Sequence, residues 1–251
     1  MLIRFLAALT CCALPFAAAA HDNESRVATS GDVTCITSNG APSHDMGTFP
    51  RQGNPHRFSE QSLRFCFPSE PTYTGRAVYG EETVGVSIDG VPIRPYTAEY
   101  YDDTSARGYS RTGDSDWRLQ AMFDPSSLGL DAQNAHVDPT GLYHYHAVPT
   151  ALTGTEGTLI GFAPDGFEID YSPATATSSW QLNPGSRPSD PYGSYDGTYE
   201  ADFNYVAGSG TLDECNGGMV NGTYTYFATD TYPFFPRCVK GETLSTFMVR
   251  G

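Results

Sequence analysis

Residues 141–146 read GLYHYH, and they follow a turn sequence, DPTG, at residues 138–141. In an extended strand, side chains alternate between the two faces with a period of two residues. His144 and His146 therefore share one face, about 6–7 Å apart along the strand, while Tyr143 and Tyr145 share the other. The pattern predicts a β-strand whose histidine face can hold two metal-ligating nitrogens on a rigid element.

The rest of the chain has the composition of a β protein. The 16 Tyr and 14 Phe favour strands, and 26 Gly and 18 Pro divide the chain into short runs. No long stretch has helical periodicity. We predict a mainly β, irregular antiparallel domain, sandwich-like, with long ordered loops and few short helices. The predicted strands are residues 33–37, 62–67, 83–88, 117–123, 141–148, 158–162, 203–206, 224–228 and 245–249. The two longest loops, 96–116 and 172–197, have lengths typical of functional or partly mobile segments.

Three further motifs accompany the Tyr-His doublet. Residues 39–44 read NGAPSH, residues 161–167 read GFAPDGF, and residues 212–217 read LDECNG. Together with the doublet, they resemble the NGxPxH, GFxxDGF and LDECNG elements of the YHYH-domain family, over roughly residues 38–241. The family is largely defined by sequence, so this resemblance implies a domain type and no particular reaction.

The first 20 residues have the pattern of a secretory signal peptide. Arg4 gives the positive charge, residues 5–16 the apolar core, and four alanines at residues 17–20 the cleavage zone. The apolar run is too short to cross a bilayer. We therefore predict a secreted or periplasmic protein with a flexible N-terminal tail at residues 21–31 and a single domain at residues 32–251.

Charge limits the classes of partner. The chain has 14 basic and 29 acidic residues, a formal net charge of −15, and no basic cluster. Nucleic-acid binding needs positive charge to neutralise phosphates, so the sequence argues against it. We predict no integral membrane segment, and the sequence does not say whether the partner is a small molecule or an extracellular polymer.

Four cysteines remain outside the predicted signal peptide. Four cysteines allow three pairings, of which we predict the sequence-local one, Cys35–Cys66 and Cys215–Cys238. A thiolate metal site is the competing interpretation. The sequence has no close Cys-x-x-Cys spacing, and an exported chain meets oxidising conditions, so disulfides are favoured.

The histidines suggest a metal centre. His144 and His146 are the core of the predicted ligand set, with His136 across the Pro-Gly turn and His44 in the NGAPSH motif as further candidates. Three neutral imidazoles with a carboxylate or water suit a divalent transition metal, Zn²⁺ or Cu²⁺. The alternative is that these are hydrogen-bonded structural histidines. His56, in a polar segment flanked by proline, is expected at the surface.

Several other residues could support such a site as outer-sphere partners or as general acids and bases. They are Asp165, Asp213, Glu214, Asn216, Tyr143 and Tyr145. Asp165 and Asp213 lie in Gly-containing turns, where a carboxylate commonly accepts backbone amide protons. Acidic residues also make Ca²⁺ an alternative ion, although no EF-hand spacing occurs.

Residues 222–227, GTYTYF, repeat the pattern of residues 141–146. The tyrosines recur, but Thr225 and Phe227 occupy the positions of the two histidines. If both segments once bound metal, one has lost its ligands.

Three functions remain open. The first is a secreted YHYH-domain protein with a histidine-centred metal site whose biochemical role is undetermined. The second is a metal-dependent extracellular hydrolase or oxidase, and the third is a non-catalytic glycan-binding or adhesion module that uses exposed aromatic rings such as Trp117 and Tyr192. The Gly-x-Ser-x-Gly and His-Glu-x-x-His motifs are absent from the sequence, which argues against the common hydrolase templates.

Overall fold

A computed structural model describes residues 21–80, 82–154 and 159–251. The predicted signal peptide lies outside these residues. The described chain forms nineteen β-strands and two short 3-10 helices, at Thr150–Leu152 and Glu200–Asp202. The strands are β1 (Arg26–Ser30), β2 (Val33–Ser38), β3 (Leu63–Pro68), β4 (Tyr73–Tyr79), β5 (Gly85–Ser87), β6 (Pro92–Ile93), β7 (Tyr96–Tyr101), β8 (Tyr109–Ser110), β9 (Asp114–Gln120), β10 (Ala135–Val137), β11 (Tyr143–Tyr145), β12 (Leu159–Phe162), β13 (Glu168–Tyr171), β14 (Trp180–Leu182), β15 (Phe203–Tyr205), β16 (Gly217–Val220), β17 (Thr223–Ala228), β18 (Cys238–Gly241) and β19 (Met248–Arg250). None of the helices in the described ranges is long and apolar enough to cross a bilayer.

An eight-stranded sheet, ordered β10-β11-β6-β5-β12-β13-β17-β16, is the largest element of the fold. A four-stranded sheet, β1-β2-β3-β19, packs against it through a cluster in which Ile36 and Phe65 meet Val86 and Leu142. Three smaller sheets complete the architecture: β8-β7-β9, β14-β15 and β18-β4. Most neighbouring strands are antiparallel, and β11–β6 and β13–β17 are parallel. The prediction of a mainly β, largely antiparallel domain is confirmed.

Each predicted strand overlaps an observed one, but two segments are more ordered than predicted. Arg26–Ser30, in the predicted flexible tail, forms β1 and pairs residue by residue with β2. Asn23 also anchors the tail, because its side-chain amide donates to the carbonyls of Ala41 (2.6 Å) and Asp89 (2.7 Å). Backbone pairing thus gives part of the predicted tail a regular conformation regardless of its polar side chains. The predicted loop 96–116 likewise contains β7, β8 and the start of β9.

The eight-stranded sheet has an internal twofold pattern. Read from either edge, an antiparallel pair (β10–β11 or β16–β17) is followed by a parallel pairing (β11–β6 or β17–β13) and then by an antiparallel one (β6–β5 or β13–β12). The two halves join at the centre through the antiparallel pair β5–β12. The sequence echo between residues 141–146 and 222–227 therefore reflects a repeated four-strand unit.

Side-chain hydrogen bonds repeat with the strands. Tyr143 donates its hydroxyl proton to Asp131 (2.5 Å), and Tyr224 donates to Asp213 (2.9 Å) in the other half. The second oxygen of each aspartate accepts two backbone amide protons from its own turn. These bonds tie each turn to the tyrosine face of the neighbouring strand, so both halves keep the tyrosines for a structural reason.

Both predicted disulfides are confirmed. Cys35–Cys66 joins β2 to β3, where the two residues are direct cross-strand partners. Cys215–Cys238 joins the turn before β16 to β18, and both cysteines are buried.

Replacing Cys215 and Cys238 with serine is expected to lower the free energy of unfolding by about 3 kcal/mol, from the entropy of the released loop. The loop spans 23 residues. Urea unfolding of the oxidised protein and the double variant measures this difference. A loss below about 1 kcal/mol would contradict the loop-entropy account.

Candidate metal centre

The hairpin β10–β11 brings three histidines together. His136 and His144 are direct partners in its antiparallel register, and His146 follows the last residue of β11 on the same face as His144. One ring nitrogen of each lies within 4.8 Å of the others. The three side chains form the histidine cluster, and their common face is the one that strand alternation predicts.

Hydrogen bonds define which ring nitrogens are free. Nδ1 of His136 lies 2.8 Å from the carbonyl oxygen of Leu128, and Nδ1 of His144 lies 3.2 Å from that of Leu142. A carbonyl oxygen only accepts, so both Nδ1 atoms carry the proton and donate. In the neutral ring, each Nε2 is then left with its lone pair, which is how metal-ligating histidines are commonly oriented.

The spacing of one pair of ring nitrogens suits a single ion. Nε2 of His146 lies 3.2 Å from Nε2 of His136. Two imidazole nitrogens at about 2.0–2.1 Å from a tetrahedral zinc ion lie about 3.3–3.4 Å apart. The His136–His146 pair therefore has the spacing that one ion requires, and a ring nitrogen of His144 lies within 4.8 Å of both.

Burial keeps the cluster neutral. It lowers the pKa of His136, and it lowers the pKa of both His144 and His146 well below the ordinary value for histidine. Desolvation is the largest cause for each ring, and the neighbouring His136 lowers the pKa of His144 and His146 further. Neutral imidazole is the form that binds metal, so the cluster is prepared for a cation at neutral pH.

All three histidines line one cavity of about 410 Å³. One wall comes from the sheet β8-β7-β9 and its turn, and another from residues 53–56 with the start of the 127–130 segment. Six charged side chains border the cavity: Glu82, Arg94, Glu99, Arg107, Arg111 and Asp138. The histidine cluster thus faces a polar space large enough for a small molecule.

His56, which the sequence predicted at the surface, also lines this cavity and is half-buried. Its loop is tied to the hairpin because Asn54 donates its side-chain amide to the carbonyl of Val137 (2.8 Å). The amide of His56 in turn donates to Asn54 Oδ1 (3.2 Å). The sequence indicates a turn at this Asn-Pro-His segment, because asparagine favours turns. The position of that turn against the hairpin depends on the contact with Val137, which the sequence does not reveal.

The structure places His44 on the opposite face of β11. Its Nε2 lies 2.7 Å from the hydroxyl oxygen of Tyr145, which donates its proton to Asp89 (3.1 Å). His44 therefore belongs to the hydrogen-bonded tyrosine face and is not brought to the histidine cluster. Tyr143 and Tyr145 lie on this face too, with buried rings whose pKa values are raised by desolvation.

Asp165 is buried away from the cavity. It accepts a proton from the Tyr226 hydroxyl (2.6 Å) and another from the Gly241 amide (2.8 Å). Burial raises the pKa of this carboxyl. Its contacts connect β17 to β18, which is a structural role.

The LDECNG turn lies in the other half of the sheet. Asp213 accepts the Cys215 amide proton (2.9 Å), as expected of a turn aspartate, and Lys240 pairs with both Asp213 (2.8 Å) and Glu214 (3.1 Å). Asn216 donates to the carbonyl of Phe227 (2.7 Å). These residues hold the turn, and none of them borders the cavity at the histidine cluster.

The second half of the sheet lacks the three histidines. The positions equivalent to His136, His144 and His146 are Gly218, Thr225 and Phe227, because Gly218 pairs with Thr225 as His136 pairs with His144. Phe227 packs in a small apolar cluster with Ala176 and Leu212. The sheet is duplicated, but only its first half carries the three histidines.

A family model described as YHYH protein matches residues 64–241, most of the chain. The chain belongs to the YHYH family. The Tyr-His-Tyr-His stretch lies within the match, as do His136 and the LDECNG turn. Comparisons of this YHYH protein with curated proteins and with solved structures found no match.

Proposed function

We propose that this YHYH protein binds one divalent transition-metal ion, Zn²⁺ or Cu²⁺, through the Nε2 atoms of His136, His144 and His146. The observation that carries the proposal is that three ring nitrogens lie within 4.8 Å of one another. In two of these rings, those of His136 and His144, Nδ1 donates a hydrogen bond to a backbone carbonyl. Ca²⁺ is less suitable, since it prefers oxygen ligands.

The compartment forms part of the proposal. Two disulfides support an oxidising environment. Residues 1–20 have the sequence pattern of a signal peptide. We therefore place the metal-bound protein outside the cytoplasm, secreted or in a periplasm.

A metal-dependent hydrolase or oxidase is the second candidate. It is favoured by the cavity that the histidine cluster lines, because three protein ligands and an open fourth position are typical of catalytic zinc sites. A metal bound there would act as a Lewis acid and lower the pKa of a bound water. Glycan binding has less support, since Trp117 is only 8% exposed and packs against Tyr199, which leaves Tyr192 (71% exposed) as the exposed ring of the two.

Metal titration tests the proposal. Purified protein, stripped with a chelator and dialysed, is expected to take up one equivalent of Zn²⁺ per chain, measured by elemental analysis. Co²⁺ in its place should give the strong visible absorption of a four-coordinate site, because three nitrogens and one further ligand make a tetrahedral set.

The His56→Ala variant is the control, since His56 borders the cavity without belonging to the cluster. It should retain one equivalent. Binding of less than 0.1 equivalent by the unmodified protein, in about micromolar free Zn²⁺, would refute the proposal.

A further inference from the structure

We propose that the cavity beside the histidine cluster binds a small anion, with a carboxylate or phosphate group, between the metal ion and the side chains of Arg107 and Arg111. This inference rests on the proposed metal site. Its basis is the distribution of charge around the cavity.

The cavity is much less negative than the molecule. The chain carries a formal net charge of −15. Around the cavity, by contrast, Arg94, Arg107 and Arg111 balance the carboxylates of Glu82, Glu99 and Asp138. A divalent ion on the three neutral imidazoles would make this region cationic, so an anion is the ligand that it attracts most strongly.

The three arginines differ in how many carboxylates they already contact. Arg94 is half-buried and contacts two carboxylates, of Glu82 and Asp138, each at 3.3 Å. Its charge is therefore neutralised by the protein, and its role is to hold Glu82 and Asp138 in place.

Arg107 and Arg111 remain available to a ligand. Arg107 has a single acidic partner, Glu99, at 3.2 Å, and its side chain is 58% exposed while lying over the ring of Tyr109. Arg111 has no salt bridge to any residue within the described ranges, and it borders the same cavity. Both come from the β7–β8–β9 wall, so their guanidinium groups can meet an anion that approaches from solvent.

The size and position of the cavity agree with such a ligand. A volume of about 410 Å³ suits a small organic molecule and excludes a folded partner. One oxygen of a carboxylate or phosphate would take the fourth position on the metal, while another would accept hydrogen bonds from guanidinium.

Anion binding to the Co²⁺-loaded protein tests the inference. Benzoate and inorganic phosphate are titrated separately, with neutral benzamide as the matched control for benzoate. We expect benzoate or phosphate, but not benzamide, to shift the visible Co²⁺ spectrum, and the metal-free protein to bind the same anion at least about tenfold more weakly. If only one of the two anions shifts the spectrum, the result shows whether the site prefers a carboxylate or a phosphate.

The Arg111→Gln variant should bind the responding anion about fivefold more weakly, as expected for loss of one partly exposed charge contact. Arg26→Gln, on the exposed strand β1, should bind like the unmodified protein. Equal affinity of Arg111→Gln and the unmodified protein would overturn the arginine assignment. A protein that binds Co²⁺ but responds to neither anion would overturn the inference and leave the metal site intact, whereas absence of Co²⁺ binding would refute the proposed function itself.

Discussion

Replacing His144 by alanine is expected to lower the affinity for Zn²⁺ by more than about 100-fold, since outer-sphere partners of metal-bound histidines alone are worth about 10–100-fold. His144 is 5% exposed, and its Nδ1 is already fixed by the carbonyl of Leu142. Removal of the ring therefore deletes one of the three nitrogens of the proposed site. Competition with a chromophoric chelator measures the change.

The duplicated sheet offers a matched control for this variant. Thr225 occupies the equivalent strand position in the second half and is 6% exposed, so its substitution disturbs a comparable site without touching the histidines. Thr225→Ala should bind Zn²⁺ like the unmodified protein, and circular dichroism verifies that both variants fold. Equal Zn²⁺ affinity for folded His144→Ala and Thr225→Ala would show that the cluster does not bind the ion.

The alternation of the Tyr-His doublet made part of the site predictable from sequence. The period of two depends only on an extended backbone, so the common face of His144 and His146 required no tertiary information. His136 was also accessible, because the intervening Pro-Gly turn predicts a hairpin whose strands lie side by side. The cysteine pairing followed from spacing and compartment in the same local way.

Contacts between segments that are distant in sequence could not be predicted. His44 is 101 residues from its partner Tyr145, and no local pattern says which face of β11 it will meet. Arg107 and Arg111 lie in the turns on either side of β8, and a two-residue strand has too little periodicity to show where those turns dock. In the sequence, the internal symmetry was visible only as the similarity between residues 141–146 and 222–227. The equivalent strands β5 and β12 have corresponding places in the sheet but different side chains.

Replacing Arg187 by methionine is expected to destabilise the protein by about 3–5 kcal/mol, because it leaves a buried carboxylate without its counter-ion. Arg187 binds Asp202 through two bonds, Nε to Oδ1 (2.8 Å) and Nη2 to Oδ2 (2.6 Å). Asp202 is fully buried, and it also accepts the amide protons of Gly197 and Tyr199. Urea unfolding followed by tyrosine and tryptophan fluorescence measures the loss.

Asp202 connects the ion pair to residues 197–199, which contact β9. Thr198 accepts the backbone proton of Gln120 in β9 (2.8 Å), and Tyr199 packs against Trp117. Substituting both partners, Arg187→Met with Asp202→Leu, should cost less than Arg187→Met alone, since no unpaired charge is then buried. An exposed arginine supplies the reference: Arg26→Met should change the free energy of unfolding by less than about 0.5 kcal/mol. If Arg187→Met were as mild as Arg26→Met, the Arg187–Asp202 ion pair would contribute little to stability, and the other contacts of residues 197–199 would hold them in place.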